Sequence, residues 1–324
     1  MSSPFIPVIH SLPSGKALIE KVLCHYPIAT QKCKIYKRGL NDTYLVEAEQ
    51  NHQYILRVYR HGWRTLDAIN FELELLHYLH NCNLPVAYPI AKTTGEFTEA
   101  IASPEGQRYA AVFSYAPGQA IGKNINREQS QQLGKVVASI HQATNNFTSR
   151  FSRPELDCEY LLDWAMAAIS LIFQHRNSDI NYLFNLSAQI KAQLVNLELP
   201  QTSPYYGICI GDVHSENAHF VGNQPTLFDF DQCGYGWRAF DIAKFIHTTH
   251  RWQLDTNINK SFMQGYQKIR QLSQTEVNTI PIFTQVAHIW VMGIACAVVE
   301  EVLPYGEFTE EWFNSKLALL SKLT

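Results

Sequence analysis

At 324 residues the chain is about two domains long, on a soft prior of roughly 150 residues per domain, which excludes a single small module. Apolar residues make up 46% and charged ones 17%, so the chain can bury a sizeable core and is neither disordered nor collagen-like. With 26 Lys plus Arg against 29 Asp plus Glu and no long basic run, the charge balance argues against a nucleic-acid binder that works by neutralising phosphates.

Seven scattered cysteines, none spaced as C-x-x-C, argue against a disulfide framework or a zinc knuckle. They fit a reducing compartment, and the expected location is cytoplasmic. The first residues lack the basic start and apolar stretch of a secretory signal. The longest uninterrupted apolar run, 289–299, is far short of the ~18 to 20 residues needed to cross a bilayer, so it reads as a buried helix and no membrane association is expected.

Up to about residue 115 strands dominate. Residues 33–37, 43–48 and 53–59 are β-branched and aromatic runs separated by turn signals, which predicts an antiparallel meander. A helix is predicted over 66–80, with Phe71, Leu75, Leu76 and Leu79 on one stripe, followed by strands over 87–92 and 107–115. After Ala116-Pro117-Gly118 the pattern turns helical, with amphipathic stretches near 127–141, 160–174, 180–197, 239–250, 257–272, 280–302 and 309–323. The predicted division is therefore a lobe over 1–115 and a helical lobe over 116–324.

One strand-rich island, 208–231, interrupts the helices and carries the unusual chemistry. Asp212 follows the flexible Gly211 in a loop, Asn217 lies five residues later, and Asp229 and Asp231 end the apolar run 226–228. Asn217 and Asp229 offer hard oxygen ligands that suit magnesium better than a soft metal, and this leaves Asp212 to hold a hydroxyl nucleophile. Phosphoryl transfer needs that division of labour.

The run resembles the aminoglycoside phosphotransferase and choline kinase superfamily. Its members carry H-G-D-x-H-x-x-N, then an apolar strand ending in D-x-D, then G-x-x-x-R-A-x-D-L-A. Here these read Ile210-Gly211-Asp212-Val213-His214-Ser215-Glu216-Asn217, Asp229-Phe230-Asp231 and Gly236-Trp237-Arg238-Ala239-Phe240-Asp241-Ile242-Ala243. The resemblance implies that Asp212 is the catalytic carboxylate, that Asn217 and Asp229 are magnesium ligands, and that Asp241 braces the catalytic loop. Ile210 stands where the family usually has a packing histidine, so activity is expected to survive.

The same resemblance implies an α+β, bilobal protein-kinase-like fold, with a small antiparallel-sheet lobe, a larger mainly helical lobe and ATP between them. Gly39 and Thr43 then belong to a short loop over the nucleotide phosphates. Asp42, where Asn is more usual, is expected to face solvent or cap the turn. Val46 and Ile55 are expected to roof the adenine pocket, and Phe113 with Tyr115 to set its depth and rim. The backbone groups of Ser114 and Ala116 are expected to bond the adenine edge. Arg57, tethered by Glu72, is expected to reach the α and β phosphates.

The implied function is ATP-dependent transfer of the γ-phosphate to a hydroxyl of a small molecule of amino alcohol, sugar or aminoglycoside type, with magnesium as cofactor. A protein serine/threonine kinase of the stress-response type shares these motifs. From another class, His214 and His219 with nearby Asp residues could ligate a transition metal in a phosphohydrolase. Gly234-Tyr235-Gly236-Trp237-Arg238-Ala239 also satisfies a dinucleotide fingerprint, but Asp229 and Asp231 just before it would oppose a pyrophosphate.

Near the C-terminus, Glu300, Glu301, Glu307, Glu310 and Glu311 suit a cationic acceptor. Glu310 and Glu311, following Thr309, suit a helix start equally well. Trp252, Trp290, Trp312 and Tyr305 read either as acceptor-pocket lining or as core.

Overall fold

The structure, a computed structural model, describes residues 6–299 and 308–323. It opens with α1 (Gly15–Lys21), then β1 (Thr30–Arg38), β2 (Asp42–Ala48), β3 (Gln53–Val58), α2 (Leu66–Asn81), β4 (Pro89–Ile90), β5 (Thr98–Ser103) and β6 (Gly106–Ser114). These strands form one antiparallel sheet in the order β1-β2-β3-β6-β4, with β5 paired to β6. Side chains alternate across a strand, so the sheet presents two apolar faces. Leu18, Val22, Leu23 and Tyr26 cover one face, against Tyr44, Val46, Leu56, Val58 and Val112. The other face, carrying Tyr59, Ala111 and Phe113, meets α2 and merges with the core of the remaining chain. Thr65 caps α2 by accepting the Ala68 amide, and the helix lays Phe71, Leu75, Leu76 and Leu79 inward as the sequence spacing predicts.

The rest is mainly helical: β7 (Gln119–Ala120), α3 (Arg127–Ala143), a π turn at Glu159–Asp163, α4 (Trp164–Ile172), α5 (Asn177–Asn196), β8 (Tyr206–Cys209), β9 (Ala218–Val221), β10 (Gln224–Leu227), β11 (Gly234–Trp237), α6 (Ala239–Arg251), α7 (Thr256–Gln267), α8 (Gln274–Ala297) and α9 (Glu310–Leu320). Its strands make two small antiparallel sheets, β10-β9-β7 and β11-β8, which frame the loop after β8. The two regions are stitched where Ala87 N–H donates to Leu227 and Leu227 N–H donates to Pro85.

Several elements differ from the sequence reading. The helix expected from 280 starts at Gln274, because Ser273 and Glu276 form a capping box and the interior Pro281 lies on the exposed side. By length and composition α8 could cross a membrane, yet it packs among α4, α5 and α6 and most of it is buried. The glycines of the dinucleotide-like run lie in β11, where a Cβ on Gly236 would come within 2.9 Å of Leu156 Cβ. Close packing therefore accounts for at least Gly236.

Of the C-terminal acids, Glu310 pairs with Arg176 at 2.6 Å and with His175 at 2.7 Å. Trp312 stacks on Phe173. Glu300, Glu301, Glu307 and Tyr305 lie outside the described residues.

Candidate active site

A cleft runs between the large sheet and the loops after β8 and β10. Its wider part, about 410 Å³, is bordered by Gly39, Thr43 and Arg57 on one side and by Asp212, Asn217 and Asp229 on the other. A narrower part, about 200 Å³, is bordered by Ile55, Leu76, Phe113, Ser114, Ala116 and Phe228. Thr43, Arg57, Asn217 and Asp229 border both, so the two parts are one space.

The loop after β8 is held from below. Gly211 has φ +83°, and a Cβ there would meet Gln232 O at 2.0 Å, so only glycine fits. The Asp241 carboxylate, on the first turn of α6, accepts the amides of Ile210 at 2.7 Å and Gly211 at 2.8 Å. Its oxygen Oδ2 also meets His141 Nε2 at 2.8 Å, while His141 Nδ1 lies 2.7 Å from the Tyr266 hydroxyl. Burial pushes the His141 imidazole below its ordinary range, so it sits there neutral. Ile210 packs in the core and serves the loop through its backbone amide, which any residue supplies.

Above this brace, Asp212 has both oxygens engaged. Lys244 Nζ lies 2.6 Å from Oδ1, and His214 Nε2 lies 3.3 Å from Oδ2. Burial pushes the Asp212 carboxyl up, but the Lys244 ammonium and His214 overcome this and hold it well below the usual carboxylate range. Asn217 turns its amide nitrogen to the Asp212 carbonyl at 3.0 Å and to Oδ2 at 3.2 Å, which leaves its Oδ1 without a partner among the described residues.

Asp229 is in the left-handed region, φ +63°, which Asp tolerates better than most residues. Arg57 Nη2 donates to its Oδ1 at 3.1 Å, and Arg57 Nη1 donates to Glu72 at 2.8 Å. Burial alone would lower the Arg57 guanidinium, but the Glu72 and Asp229 carboxylates hold it well above its ordinary value. Asp231 is buried; it accepts from Trp63 Nε1 at 3.0 Å and from Arg64 at 3.4 Å, and Arg153 donates to its carbonyl.

A family model described as the phosphotransferase enzyme family matches residues 34–275. The chain is 39% identical over 319 residues to an uncharacterized protein of Synechocystis sp., across 98% of this chain and 87% of that one. It is 26% identical over 271 residues to the amicoumacin kinase of Bacillus subtilis, across 78% and 77% of the two chains. Among solved structures, amicoumacin kinase hAmiN in complex with AMP-PNP, Ca2+ and Ami superposes with a TM-score of 0.77 at 19% identity, over 95% of this chain and 92% of that one. The chain belongs to the phosphotransferase enzyme family. It is a kinase, with the antiparallel-sheet region and helical remainder of the kinase-like fold, and its family acts on small molecules.

Some expected site residues of this kinase are placed differently. Val46 does not roof the narrow pocket: it shares the face of Tyr44, and both are buried against α1. The cleft face of β2 carries Thr43 instead, and by alternation Leu45. Asp42 neither faces solvent nor caps a turn; it is buried, 2.7 Å from Arg108 Nη2 and 2.9 Å from His10 Nε2. Its charge points away from the cleft.

Ser114 and Ala116 do border the pocket, but Ser114 N–H is spent on Tyr88 O and Ala116 C=O accepts from His219 Nδ1 at 2.7 Å. Ala116 N–H has no partner among the described residues. Glu72 reaches the cleft only through Arg57. His214 and His219 bond different groups, Asp212 and the Ala116 carbonyl, and the match to the phosphotransferase family speaks for a kinase rather than a phosphohydrolase.

The sequence reading missed Lys244, His141, Trp63 and Arg64. A signal exists only for Lys244, which lies three residues after Asp241 and so on the same face of α6.

Proposed function

We propose that the protein transfers the γ-phosphate of ATP to a hydroxyl of a small molecule of amino alcohol, sugar or aminoglycoside type. One observation carries this reading: Asp212, Asn217, Asp229 and Arg57, contributed by the two regions, border the same cleft. Residues 1–115 would serve as the nucleotide-binding lobe and 116–324 as the catalytic and acceptor lobe.

In this reading the adenine occupies the narrow part between Ile55, Phe113 and Phe228, with Ala116 N–H as donor to its edge. Thr43 and the Gly39 loop face the phosphates. The Gly39 and Leu40 carbonyls are drawn back by Arg60, at 3.3 and 3.0 Å. Arg57 neutralises the α and β phosphates and is aimed by Glu72.

Magnesium fits the donor set. Asn217 Oδ1 and Asp229 Oδ2 are hard oxygens without hydrogen-bond partners among the described residues, and both side chains border the cleft. Bound there, it would supply charge neutralisation at the phosphate tail. Asp212, kept ionised, can only accept, so it orients the acceptor hydroxyl for in-line attack. Catalysis is then mainly positioning and charge neutralisation.

The test is ADP release from ATP and magnesium across a panel of amino alcohols, sugars, aminoglycosides and a serine-rich protein. At least one small-molecule acceptor is expected to stimulate release, and Asp212→Ala and Asp229→Ala to abolish it in folded protein. Full activity in either variant overturns the assignment, and stimulation by the protein substrate alone overturns the acceptor class.

A further inference from the structure

We infer that Lys244 is a catalytic residue that neutralises the transferring phosphoryl group from the acceptor side, an inference that rests on the phosphoryl-transfer reading above. α6 approaches the loop after β8 with two residues one turn apart. Asp241 takes the backbone amide of Gly211, and Lys244 takes the side chain of the next residue, Asp212, at 2.6 Å. The Lys244 side chain is only 5% exposed, yet it borders the cavity together with Asp212, Asn217 and Asp229.

Fixing the carboxylate does not explain this ammonium, because Asp212 Oδ2 is already held by His214 and Asn217. Reach does. An acceptor hydroxyl bonded to Asp212 sits about 3 Å from it, and the phosphorus it attacks lies about 3 to 3.5 Å further on. An ammonium on Oδ1 is therefore within a small side-chain swing of the equatorial oxygens, where a loose phosphoryl-transfer transition state spreads its charge. Arg57 cannot serve there, since Glu72 and Asp229 hold it on the other wall. Lys37 and Arg251, which also border the cavity, are solvent-exposed and weaker in a watery setting.

The test measures binding of ADP with magnesium, with and without aluminium fluoride as a planar mimic of the transferring group, and so needs no identified acceptor. Fluoride is expected to tighten ADP binding in the wild type. Lys244→Met and Lys244→Gln should each lose that tightening, on the order of 100-fold, with affinity for ADP and magnesium alone unchanged. Lys244→Arg should recover part of it.

Once an acceptor is found, kcat should fall by a similar factor at unchanged KM for ATP. A merely structural lysine would instead weaken plain ADP binding or lower the melting temperature. The same fluoride gain in a folded Lys244→Met or Lys244→Gln variant as in wild type overturns the role of Lys244 and leaves the kinase reading standing. Failure of the wild type to bind ADP and magnesium at all overturns the site reading, and this proposal with it.

Discussion

A single guanidinium spans the cleft: Arg57 donates to Glu72 at 2.8 Å and to Asp229 at 3.1 Å, joining β3 and α2 to the segment that follows β10. In the proposed reading this arginine lies beside a carboxylate offered to magnesium and meets the α and β phosphates from the Glu72 side. A lysine carries the same charge but is a point donor without the planar fork, so it cannot hold both partners in the same two-nitrogen geometry. For Arg57→Lys, KM for ATP should rise by about tenfold or more, equivalent to roughly 1.4 kcal/mol, with a smaller effect on kcat. Initial rates at varied ATP check this, and an unchanged KM would remove Arg57 from the phosphate site.

How much of this was legible beforehand depended on how local each signal is. The loop from Ile210 to Asn217 lies within eight consecutive residues, so its pattern could be read directly. The tie between Arg57 and Glu72 came from the family resemblance, which aligns Glu72, Leu76 and Leu79 with the family's helix pattern. Val46 failed on parity: placing a strand residue on the wrong count moves it to the opposite face, and Val46 belongs with Tyr44. Asp42 failed because its partner Arg108 lies 66 residues away. β5, TEAIAS, was hidden as a short alanine-rich run between two turn signals, and β11 by glycines that normally mark turns.

Asp241 is fully buried and accepts from two amides and one imidazole. Asn has one acceptor oxygen, and its amide would set N–H against N–H. Asp241→Asn should therefore cost about 2 to 4 kcal/mol of stability. It should also lower kcat, because the loop bearing Asp212 loses its floor. Urea unfolding and steady-state kinetics on one preparation check both, and wild-type unfolding midpoints would show that the brace is dispensable.

The pair of Asp42 and Arg108 makes the opposite case, a strong interaction close in sequence to the phosphate loop that should leave nucleotide binding alone. Both side chains are buried, and Arg108 also bonds the carbonyls of Tyr59 and Val58. Asp42→Ala leaves a buried cation short of its main partner, with an expected loss of about 3 kcal/mol. KM for ATP should not change in Asp42→Asn, since the side chain is turned from the cleft. A marked fall in KM on that substitution would mean that the carboxylate does face the phosphates.

Two buried histidines should set the acid limit of the fold. His247 Nε2 lies 3.0 Å from His288 Nδ1, and His288 Nε2 lies 2.9 Å from the Lys316 carbonyl, so His288 donates from Nε2 and accepts on Nδ1, which needs its ring neutral. Burial pushes His288 down to about 4, and burial with the Lys244 charge pushes His247 well below its ordinary value of 6.5. As pH falls through 6.5 the unfolded chain takes up protons that the folded chain refuses, so stability declines between pH 6.5 and 4. His288 alone accounts for about 3 kcal/mol across that window. The carboxylates Asp212 and Asp231, held below 3.8 in the fold, add their loss only at lower pH; His141, held low by burial, and Glu72, held high by burial, contribute in the same window, so the difference between variant and wild type is what isolates His288. His288→Gln keeps a donor for Lys316 and an acceptor for His247 but cannot titrate. Unfolding free energies measured by urea from pH 7.5 to about 4 should fall less steeply for this variant than for wild type, by the uptake of about one proton. Identical slopes would show that His288 is protonated in the folded protein and that the pair is held some other way.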